Sequence, residues 1–307
     1  MPKLCYRKKK FQAKSLATIA QANTIAEAYA AQGFDPTLRQ LYYQFVARDL
    51  IPNNLREYKR LSNVITDARY AGLIDWLHVT DRTRSLRSNP HWNEPNDIIA
   101  SAVSSFAIDK WERQEYRPEV WIEKDALVGV IEGVCKRLDV SYFSCRGYTS
   151  ASEMWIAARR LIRYLKKGQV PLVIQLGDHD PSGIDMSRDI FDRLELFIKA
   201  EGYNPAEVRR IALNIDQIET YRPPPNFAKL TDTRANGYIK RYGQSSWELD
   251  ALEPTVLAQL IQDTVSAYRD DRLWQEAVTL EEQNRDNLRD VAERWGDVTR
   301  YLKRGEA

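Results

Sequence analysis

Apolar positions three and four residues apart dominate the first part of the chain, and this spacing predicts three helices. They cover residues 15–34, 37–50 and 55–72. Thr37 stands where a helix N-cap is expected, because its hydroxyl can accept a hydrogen bond from the first helical turn. A short strand, IDWLHVTD, and an exposed basic loop, RTRSLRS, are predicted to follow the third helix.

From residue 119 onward, short apolar runs alternate with amphipathic stretches. The runs EVWIEK, VSYFSC, PLVIQLGD and RRIALN are typical of strands, and the segments between them have helical spacing. Strands that alternate with helices imply βαβ units and a parallel sheet, so the predicted fold class is α/β. The run VPLVIQL is apolar without alternation, as expected for a central strand covered on both faces.

These patterns predict four segments. Residues 1–88 form a winged-helix DNA-binding domain, 89–118 a linker, 119–270 a Rossmann-like sheet domain, and 271–307 a C-terminal helical tail. One face of the tail is apolar and needs a partner surface, either the sheet domain or a second protomer. The residues of this apolar stripe are Leu288, Val291, Ala292, Trp295, Val298 and Leu302.

The order of three helices, a strand and a basic loop is that of a winged helix, whose third helix enters the major groove of DNA. The residues predicted to contact double-stranded DNA are Arg56, Lys59, Arg60 and Arg69 on the third helix and Arg82, Arg84 and Arg87 in the loop. The alternative is a small helical domain with a charged, solvated face.

The amino-acid composition limits which binding partners and which cellular location can be expected. The formal net charge is only +2, so DNA binding has to come from local basic patches. There is no run of 18 apolar residues, and no apolar stretch follows the basic start, so neither a membrane span nor a signal peptide is expected. Three scattered cysteines and three histidines fit neither a disulfide framework nor a zinc site. A reducing cytoplasm is therefore the expected location.

Three carboxylates are predicted to lie at the carboxyl ends of parallel strands, where ligands of such sheets bind. Glu123 follows the strand VWI, and Asp178 and Asp180 follow VIQL. Crowded carboxylates repel, so one takes up a proton at neutral pH unless a cation neutralises them, and oxygen ligands suit Mg²⁺. The alternative for the two aspartates is a solvated turn or a helix N-cap pair. His179, between them, is expected to point to solvent.

The motifs WIEKDAL and GDHDPSG, whose acidic residues lie about 55 residues apart, resemble those of the Toprim domain of topoisomerases, primases and related nucleases. With the segment TLRQLYYQF, and with a winged helix before the Toprim domain, they resemble the A subunit of type IIB topoisomerases and the meiotic double-strand-break protein. The resemblance covers roughly residues 35–260 and is greatest to the short standalone A forms of bacteria and mobile elements. The sequence has no glycine-rich ATP site, so strand passage would need a separate ATPase partner.

That family cleaves DNA with a tyrosine of the winged helix and leaves a 5′-phosphotyrosyl link. Of two adjacent candidates, Tyr42 falls on the apolar stripe of the second helix and is expected in the core. Tyr43 is turned away from that stripe, on the flank that carries Arg39. The resemblance also assigns the second tyrosine as the nucleophile. It further implies a homodimer, in which the tyrosine of one protomer acts with the Mg²⁺ of the other.

Other charged residues near these positions have two interpretations. Arg39 either positions the scissile phosphate or forms an ion pair with Asp35 or Asp49. Lys124 and Arg146 either contact phosphate or are solvated surface charges.

The expected function is therefore Mg²⁺-dependent DNA cleavage by transesterification, in the cytoplasm and at the nucleoid. One alternative is a hydrolytic Toprim nuclease, in which metal and water cut DNA and Tyr43 only packs. Another is a DNA-binding regulator without catalysis. Glu248, in WELDAL, is either a further acidic contact or a helix-start carboxylate.

Overall fold

The structure is a computed structural model that describes residues 3–79, 89–227, 232 and 234–304. The chain divides into two compact units. The first comprises Met1–Arg84 and Pro118–Ser266, and the second comprises Ser85–Arg117 and Ala267–Ala307.

Helices account for most of the secondary structure. The described helices are α1 Ala13–Ala31, α2 Leu38–Ala47, α3 Leu55–Tyr70, α4 Pro95–Ser105, α5 Val128–Arg137, α6 Ala151–Lys166, α7 Pro181–Ala200, α8 Ile215–Tyr221, α9 Ala235–Tyr242, α10 Pro254–Ser266, α11 Asp271–Glu293 and α12 Trp295–Arg304. The described strands are β1 Tyr116–Ile122, β2 Ser141–Ser144, β3 Val170–Leu176, β4 Glu207–Ala212, β5 Asn226–Phe227 and β6 Ser245–Ser246. Within the described residues, no helix combines the length and the apolar character needed to cross a bilayer.

The three predicted N-terminal helices are confirmed as α1, α2 and α3. Thr37 caps α2 as predicted. Its hydroxyl accepts a hydrogen bond from the Gln40 amide at 3.3 Å, and the Gln40 side chain accepts one from the Thr37 amide at 2.8 Å. This reciprocal pair satisfies two amides that a helix start leaves without partners. The helices close over a core that includes Leu41, Phe45 and Leu61, all fully buried.

The strand predicted after α3 is wrong for the residues that the structure describes there. Trp76–His78 form a single 3-10 turn, which begins at Asp75, whose side chain accepts a hydrogen bond from the Leu77 amide. The Arg69 guanidinium lies over the Trp76 ring and donates to the Trp76 carbonyl oxygen at 2.8 Å. This contact holds the turn against α3, so the segment does not extend. The basic loop that carries Arg82, Arg84 and Arg87 lies outside the described residues.

The predicted α/β class is confirmed by a parallel sheet in the first unit, with strand order β2-β1-β3-β4. The connections run through α5, α6 and α7. β3 lies inside the sheet, as its uninterrupted apolar run predicted, and its residues Leu172, Val173 and Ile174 are fully buried.

The order of the strands creates a crevice at one edge of the sheet. The chain passes from β1 to its neighbour β2, and then returns to place β3 on the other side of β1. Such a reversal leaves an opening beyond the carboxyl ends of the two central strands, which is where ligands of open α/β sheets bind. The Glu123 amide donates to the Leu176 carbonyl oxygen at 2.9 Å and keeps these two strand ends together.

The sequence predicted that His179 points to solvent, but the structure shows that its side chain is buried. Its Nδ1 lies 2.8 Å from the Tyr238 hydroxyl, and its ring packs against Tyr238, Tyr242 and Trp247. The backbones of His179 and Trp247 also exchange two hydrogen bonds. The histidine therefore anchors the segment around β6 to the loop after β3, and burial lowers the pKa of His179 to about 4.

The second unit is built around the packing of α4 against α11. Trp111 is buried against Trp274, and Glu281 is buried where it accepts hydrogen bonds from the Ile108 amide at 2.8 Å and from Lys110 at 2.6 Å. The predicted tail is helical as α11 and α12. Its apolar stripe is only partly covered, since Val291 remains 41% and Leu302 59% exposed.

Candidate functional site

One cavity in the first unit, of about 770 Å³, collects the side chains predicted to act together. It lies at the crevice between β1 and β3. The predicted residues that line it are Arg39, Tyr43, Glu123, Asp178 and Asp180. The lining residues that the sequence left ambiguous or did not single out include Lys124, Arg146, Asn226, Glu248 and Asp250.

Glu123 and Asp178 meet because they end neighbouring strands. The Asp178 amide donates to Glu123 Oε2 at 2.8 Å. A Cβ at Gly177, between them, would come within 2.8 Å of the same carboxylate oxygen and of Gln175 Nε2, so the ends of these two side chains would have to shift. Gly183 is required, because its Cβ would lie 2.2 Å from the backbone carbonyl oxygen of Asp178. Gly183 thus allows the loop from residue 177 to residue 183 to fold tightly against the strand ends.

Asp180 takes the helix N-cap role that the sequence left open as an alternative. Its Oδ1 accepts hydrogen bonds from the Gly183 amide at 2.6 Å and from the Ser182 hydroxyl at 2.9 Å. These bonds begin α7, in which Pro181 takes the first position. Asp180 therefore lines the cavity with one carboxylate oxygen already committed to the helix.

Lys124 is not a solvated surface charge. Its Nζ lies 2.8 Å from Asp178, 2.9 Å from Glu248 and 2.7 Å from Asp250. The second Asp178 oxygen accepts a hydrogen bond from the Leu249 amide at 2.8 Å. The segment from residue 248 to residue 250 is therefore part of the site, although the sequence pointed only to Glu248 and only as one of two interpretations.

The raised pKa values of Glu123 and Asp178 agree with the expectation that crowded carboxylates take up protons more readily. Burial, and then the charge of Asp178, raises the pKa of Glu123 to about 7. Burial also raises the pKa of Asp178. Glu248 behaves in the opposite way, because Lys124 and Arg39 outweigh the effect of burial and lower the pKa of Glu248 to about 2. The ammonium is stabilised in turn, since the three carboxylates outweigh burial and raise the pKa of Lys124.

In donor type and charge, the cavity fits a hard divalent cation. Asp125 and Arg146 line the cavity but neutralise each other in an ion pair. Among the other described lining residues, five carboxylates face only two positive charges, those of Lys124 and Arg39. Carboxylate oxygens are the ligands that Mg²⁺ prefers. In placement, however, the described residues contain no group of three or more acidic, histidine or cysteine side chains already arranged around one ion. The carboxylate of Asp180 is engaged at the start of α7, and that of Asp178 with Lys124.

The two tyrosines are both buried. Tyr42 is in the core as predicted, and its hydroxyl donates to Asn53 Oδ1 at 2.9 Å. Tyr43 is buried as well, which helical phase alone did not predict. The face of α2 that carries Tyr43 packs against the segment from residue 248 to residue 253. The neighbouring Gln44 side chain donates a hydrogen bond to Glu253 of that segment at 2.7 Å.

The Tyr43 hydroxyl nevertheless reaches the cavity, where it accepts a hydrogen bond from Asn226 Nδ2 at 3.2 Å. Burial, and then the nearby charge of Glu248, raises the pKa of Tyr43. The described ion-pair partners of Arg39 are Glu248 and Asp250, which the sequence did not propose for it. Its guanidinium pairs with Glu248, lies 3.6 Å from Asp250 and stands 5.7 Å from the centre of the Tyr43 ring.

The predicted DNA-contacting residues of α3 differ in their surroundings. Arg56 and Lys59 are exposed. Arg60 forms an ion pair with Glu57 at 2.6 Å. Arg69 is engaged with Trp76, and burial lowers the pKa of Arg69, so its role is to hold the turn after α3. Of these four residues, only Arg56 and Lys59 present their charge to solvent without a described ion pair.

No protein-family model matches this sequence, and a comparison with curated protein sequences finds no match either. The resemblance to topoisomerase A subunits therefore rests on the sequence motifs alone.

Proposed function

We propose that the protein cleaves DNA by transesterification, as a Mg²⁺-dependent enzyme of the type IIB topoisomerase A-subunit class. In this proposal the N-terminal helices belong to a winged-helix domain, and the parallel sheet belongs to a Toprim domain. The observation that carries the proposal is the cavity itself. It brings the Tyr43 hydroxyl and Arg39 together with carboxylates at the switch point of the sheet. The proposed partners are double-stranded DNA, a second copy of the chain and a separate ATPase. Because Tyr43 and the carboxylates line one cavity of a single chain, the proposed step uses the cation of the same protomer, whereas the resemblance implies the cation of the other protomer.

The proposed step exchanges one phosphodiester bond for another. The Tyr43 oxygen bonds to phosphorus, the bond from phosphorus to the 3′ oxygen breaks, and the tyrosine remains linked to the 5′ end. The phenol proton leaves Tyr43, and the departing 3′ oxygen takes up a proton. Glu123, Asp178 and Asp180 would hold the divalent cation, which supplies stabilisation of negative charge when bound.

The chain's own residues prepare Tyr43 for this step in two ways. Arg39 places a positive charge beside the phenol and works against the effect of burial on its pKa. Asn226 orients the hydroxyl through the 3.2 Å hydrogen bond. Because Tyr43 is only 3% exposed, DNA has to reach the phenol through the cavity that its hydroxyl lines.

The first prediction tests the nucleophile. Wild-type protein incubated with supercoiled DNA and Mg²⁺, or with Mn²⁺ or Ca²⁺ to trap the adduct, should be found covalently linked to 5′ ends after denaturation with detergent. Tyr43→Phe removes one oxygen and should abolish the adduct, because no other group replaces the attacking atom. Tyr42→Phe is the matched control and should retain it, since the Tyr42 hydroxyl bonds to Asn53. An adduct formed equally well by Tyr43→Phe would refute the assignment.

A hydrolytic nuclease is the second candidate function, and the burial of Tyr43 favours it. A buried phenol with a raised pKa is a poor nucleophile until its surroundings rearrange. In that case water attacks the phosphate, and the products carry free 5′ ends. Cleavage by Tyr43→Phe at the wild-type rate, without a covalent adduct, would establish this alternative.

A further inference from the structure

Three hydrogen-bond donors from separate elements converge on one carboxylate in the cavity, that of Glu248. Its Oε2 accepts hydrogen bonds from the Arg39 guanidinium, through Nε at 3.1 Å and also through Nη2, and from Lys124 Nζ at 2.9 Å. Its Oε1 accepts one from Asn226 Nδ2 at 3.2 Å. The donors belong to α2, to the segment after β1 and to β5, and all of them line the cavity. Two cations and an amide therefore surround a single anionic group.

The two cations are also held in place by groups other than Glu248. Lys124 pairs with Asp178 at 2.8 Å and with Asp250 at 2.7 Å, so that a ring of three carboxylates surrounds its ammonium. Arg39 lies 3.6 Å from Asp250. The Glu248 side chain is 22% exposed, against 8% for Asp178 and 0% for Asp250. Glu248 is therefore the carboxylate that can leave while both cations keep a buried partner.

We propose that Arg39, Lys124 and Asn226 form a binding subsite for a phosphate group, and that the Glu248 carboxylate fills this subsite in the free protein. Guanidinium and ammonium groups bind phosphate oxygens through charge-assisted hydrogen bonds, as they bind the carboxylate here.

The charge of the ligand decides whether such an exchange is favourable in a cavity rich in carboxylates. Glu248 is ionised at neutral pH, because Lys124 and Arg39 outweigh the effect of burial and lower the pKa of Glu248 to about 2. A phosphodiester carries one negative charge, as the ionised carboxylate does. Replacing one by the other adds no charge, whereas an additional anion would be repelled by the carboxylates that remain.

The subsite lies beside the phenol of Tyr43. Asn226 Nδ2 donates to the Tyr43 hydroxyl and to Glu248 Oε1, at 3.2 Å in each case. A phosphate group in the place of Glu248 would therefore share a donor with the hydroxyl. The inference rests on the proposed function for one point, that DNA supplies the phosphate, but the binding of a phosphate group needs neither DNA nor cleavage.

Competition by Glu248 should reduce the affinity for the ligand by a measurable factor. The apparent dissociation constant rises in inverse proportion to the fraction of molecules whose site is open. If the carboxylate is displaced in about one molecule in ten, its removal should raise the affinity about tenfold.

The test measures the binding of dimethyl phosphate, a monoanionic diester, without DNA or metal. The shift of the thermal unfolding midpoint with ligand concentration gives the affinity, and sodium chloride at equal ionic strength corrects for salt. Glu248→Ala should bind about tenfold more tightly than wild type, and Glu248→Ala/Arg39→Met should lose this gain. Glu253→Ala is the matched control and should bind as wild type does. It removes the same charge from the same segment, but the Glu253 carboxylate accepts its hydrogen bond from Gln44.

Inorganic phosphate in its dianionic form distinguishes the two possible sources of the ligand. Tighter binding of dimethyl phosphate by Glu248→Ala supports the subsite with a phosphodiester of DNA as its ligand. Tighter binding of inorganic phosphate supports the subsite with a free or terminal phosphate as its ligand.

Two results would overturn the proposal: a folded Glu248→Ala that gains no more affinity for either ligand than Glu253→Ala, or a gain that persists in the double variant. If Glu248→Ala is unfolded, circular dichroism during the ligand titration replaces the unfolding midpoint. Refolding by either ligand in Glu248→Ala and not in the double variant supports the subsite, and absence of refolding overturns it. Since neither DNA nor Mg²⁺ takes part, these outcomes are independent of whether the protein cleaves DNA.

Discussion

Asp180 combines a structural role and a proposed ligand role in a single side chain, and substitution can separate the two. Asp180→Ala removes the N-cap of α7 and should lower the free energy of unfolding by about 1 kcal/mol. Asp180→Asn should keep most of that stability, because asparagine caps helices as well as aspartate does. Both should weaken Mg²⁺ binding, since each removes a carboxylate. Urea denaturation and calorimetric titration measure the two effects, and wild-type Mg²⁺ affinity in Asp180→Asn would leave Asp180 as a cap alone.

At the scale of elements, Arg210 of β4 stabilises the loop from residue 177 to residue 183 through hydrogen bonds to its backbone. Its guanidinium donates to the carbonyl oxygens of Gly177 at 2.8 Å, Asp178 at 2.6 Å and Gly183 at 3.1 Å. Arg210→Met leaves these acceptors without that donor and should lower the free energy of unfolding on the order of 3 kcal/mol.

Arg209→Met is the matched control for Arg210→Met. The Arg209 side chain is exposed and pairs with Glu207, so its loss should change stability by less than about 0.5 kcal/mol. Chemical denaturation of both variants measures the difference. Equal stabilities would show that the loop does not depend on the buried guanidinium.

In the second unit, the contact between α11 and the segment before β1 should be sensitive to acid. Burial works against the charge of Glu281, but hydrogen bonds from Lys110 and the Ile108 amide outweigh it and lower the pKa of Glu281. A group with a lowered pKa stabilises the folded state above its unfolded value of about 4.3, and this contribution is lost as the pH falls through the folded pKa.

Glu281→Gln should therefore be less stable than wild type at neutral pH and should lose less stability between pH 5 and pH 3. Its neighbour Glu282 is exposed, so Glu282→Gln serves as the control and should keep the wild-type pH dependence. Thermal unfolding followed across this pH range measures both variants. The same acid dependence in Glu281→Gln and wild type would contradict the assignment.

For the whole molecule, the net charge of +2 means that the proposed DNA binding would have to come from a small basic surface. If Arg56 and Lys59 contact phosphates, the variant Arg56→Ala/Lys59→Ala should bind all sequences more weakly. Its plot of log affinity against log salt should also be shallower by about 2, roughly one for each lost phosphate contact.

Lys166→Ala/Lys199→Ala removes the same charge from exposed positions on α6 and α7 and is the control for that measurement. Fluorescence anisotropy at several salt concentrations gives both slopes. A slope unchanged in Arg56→Ala/Lys59→Ala, or lowered equally in the control, would exclude α3 as the phosphate-contacting surface.

Local patterns predicted those features that depend on neighbours along the chain. The Thr37 cap, the helical register of α2 and the central position of β3 each follow from a few consecutive residues. The strand predicted after α3 failed because Arg69 and Trp76, brought together by the end of that helix, stabilise a turn instead. Propensity is a weak guide where such a contact is available.

The sequence by itself determined the α/β class, the alternation of strands and helices, and the placement of Glu123, Asp178 and Asp180 after strand ends. Only the tertiary structure decided what these residues touch. Glu248 accepts hydrogen bonds from Lys124 and from Arg39, which precede it in the sequence by 124 and 209 residues. Periodicity is set by backbone geometry within a few residues, whereas ion-pair partners are set by which segments the sheet order brings together. The burial of Tyr43 and the carboxylate ring around Lys124 are therefore properties of the packed chain.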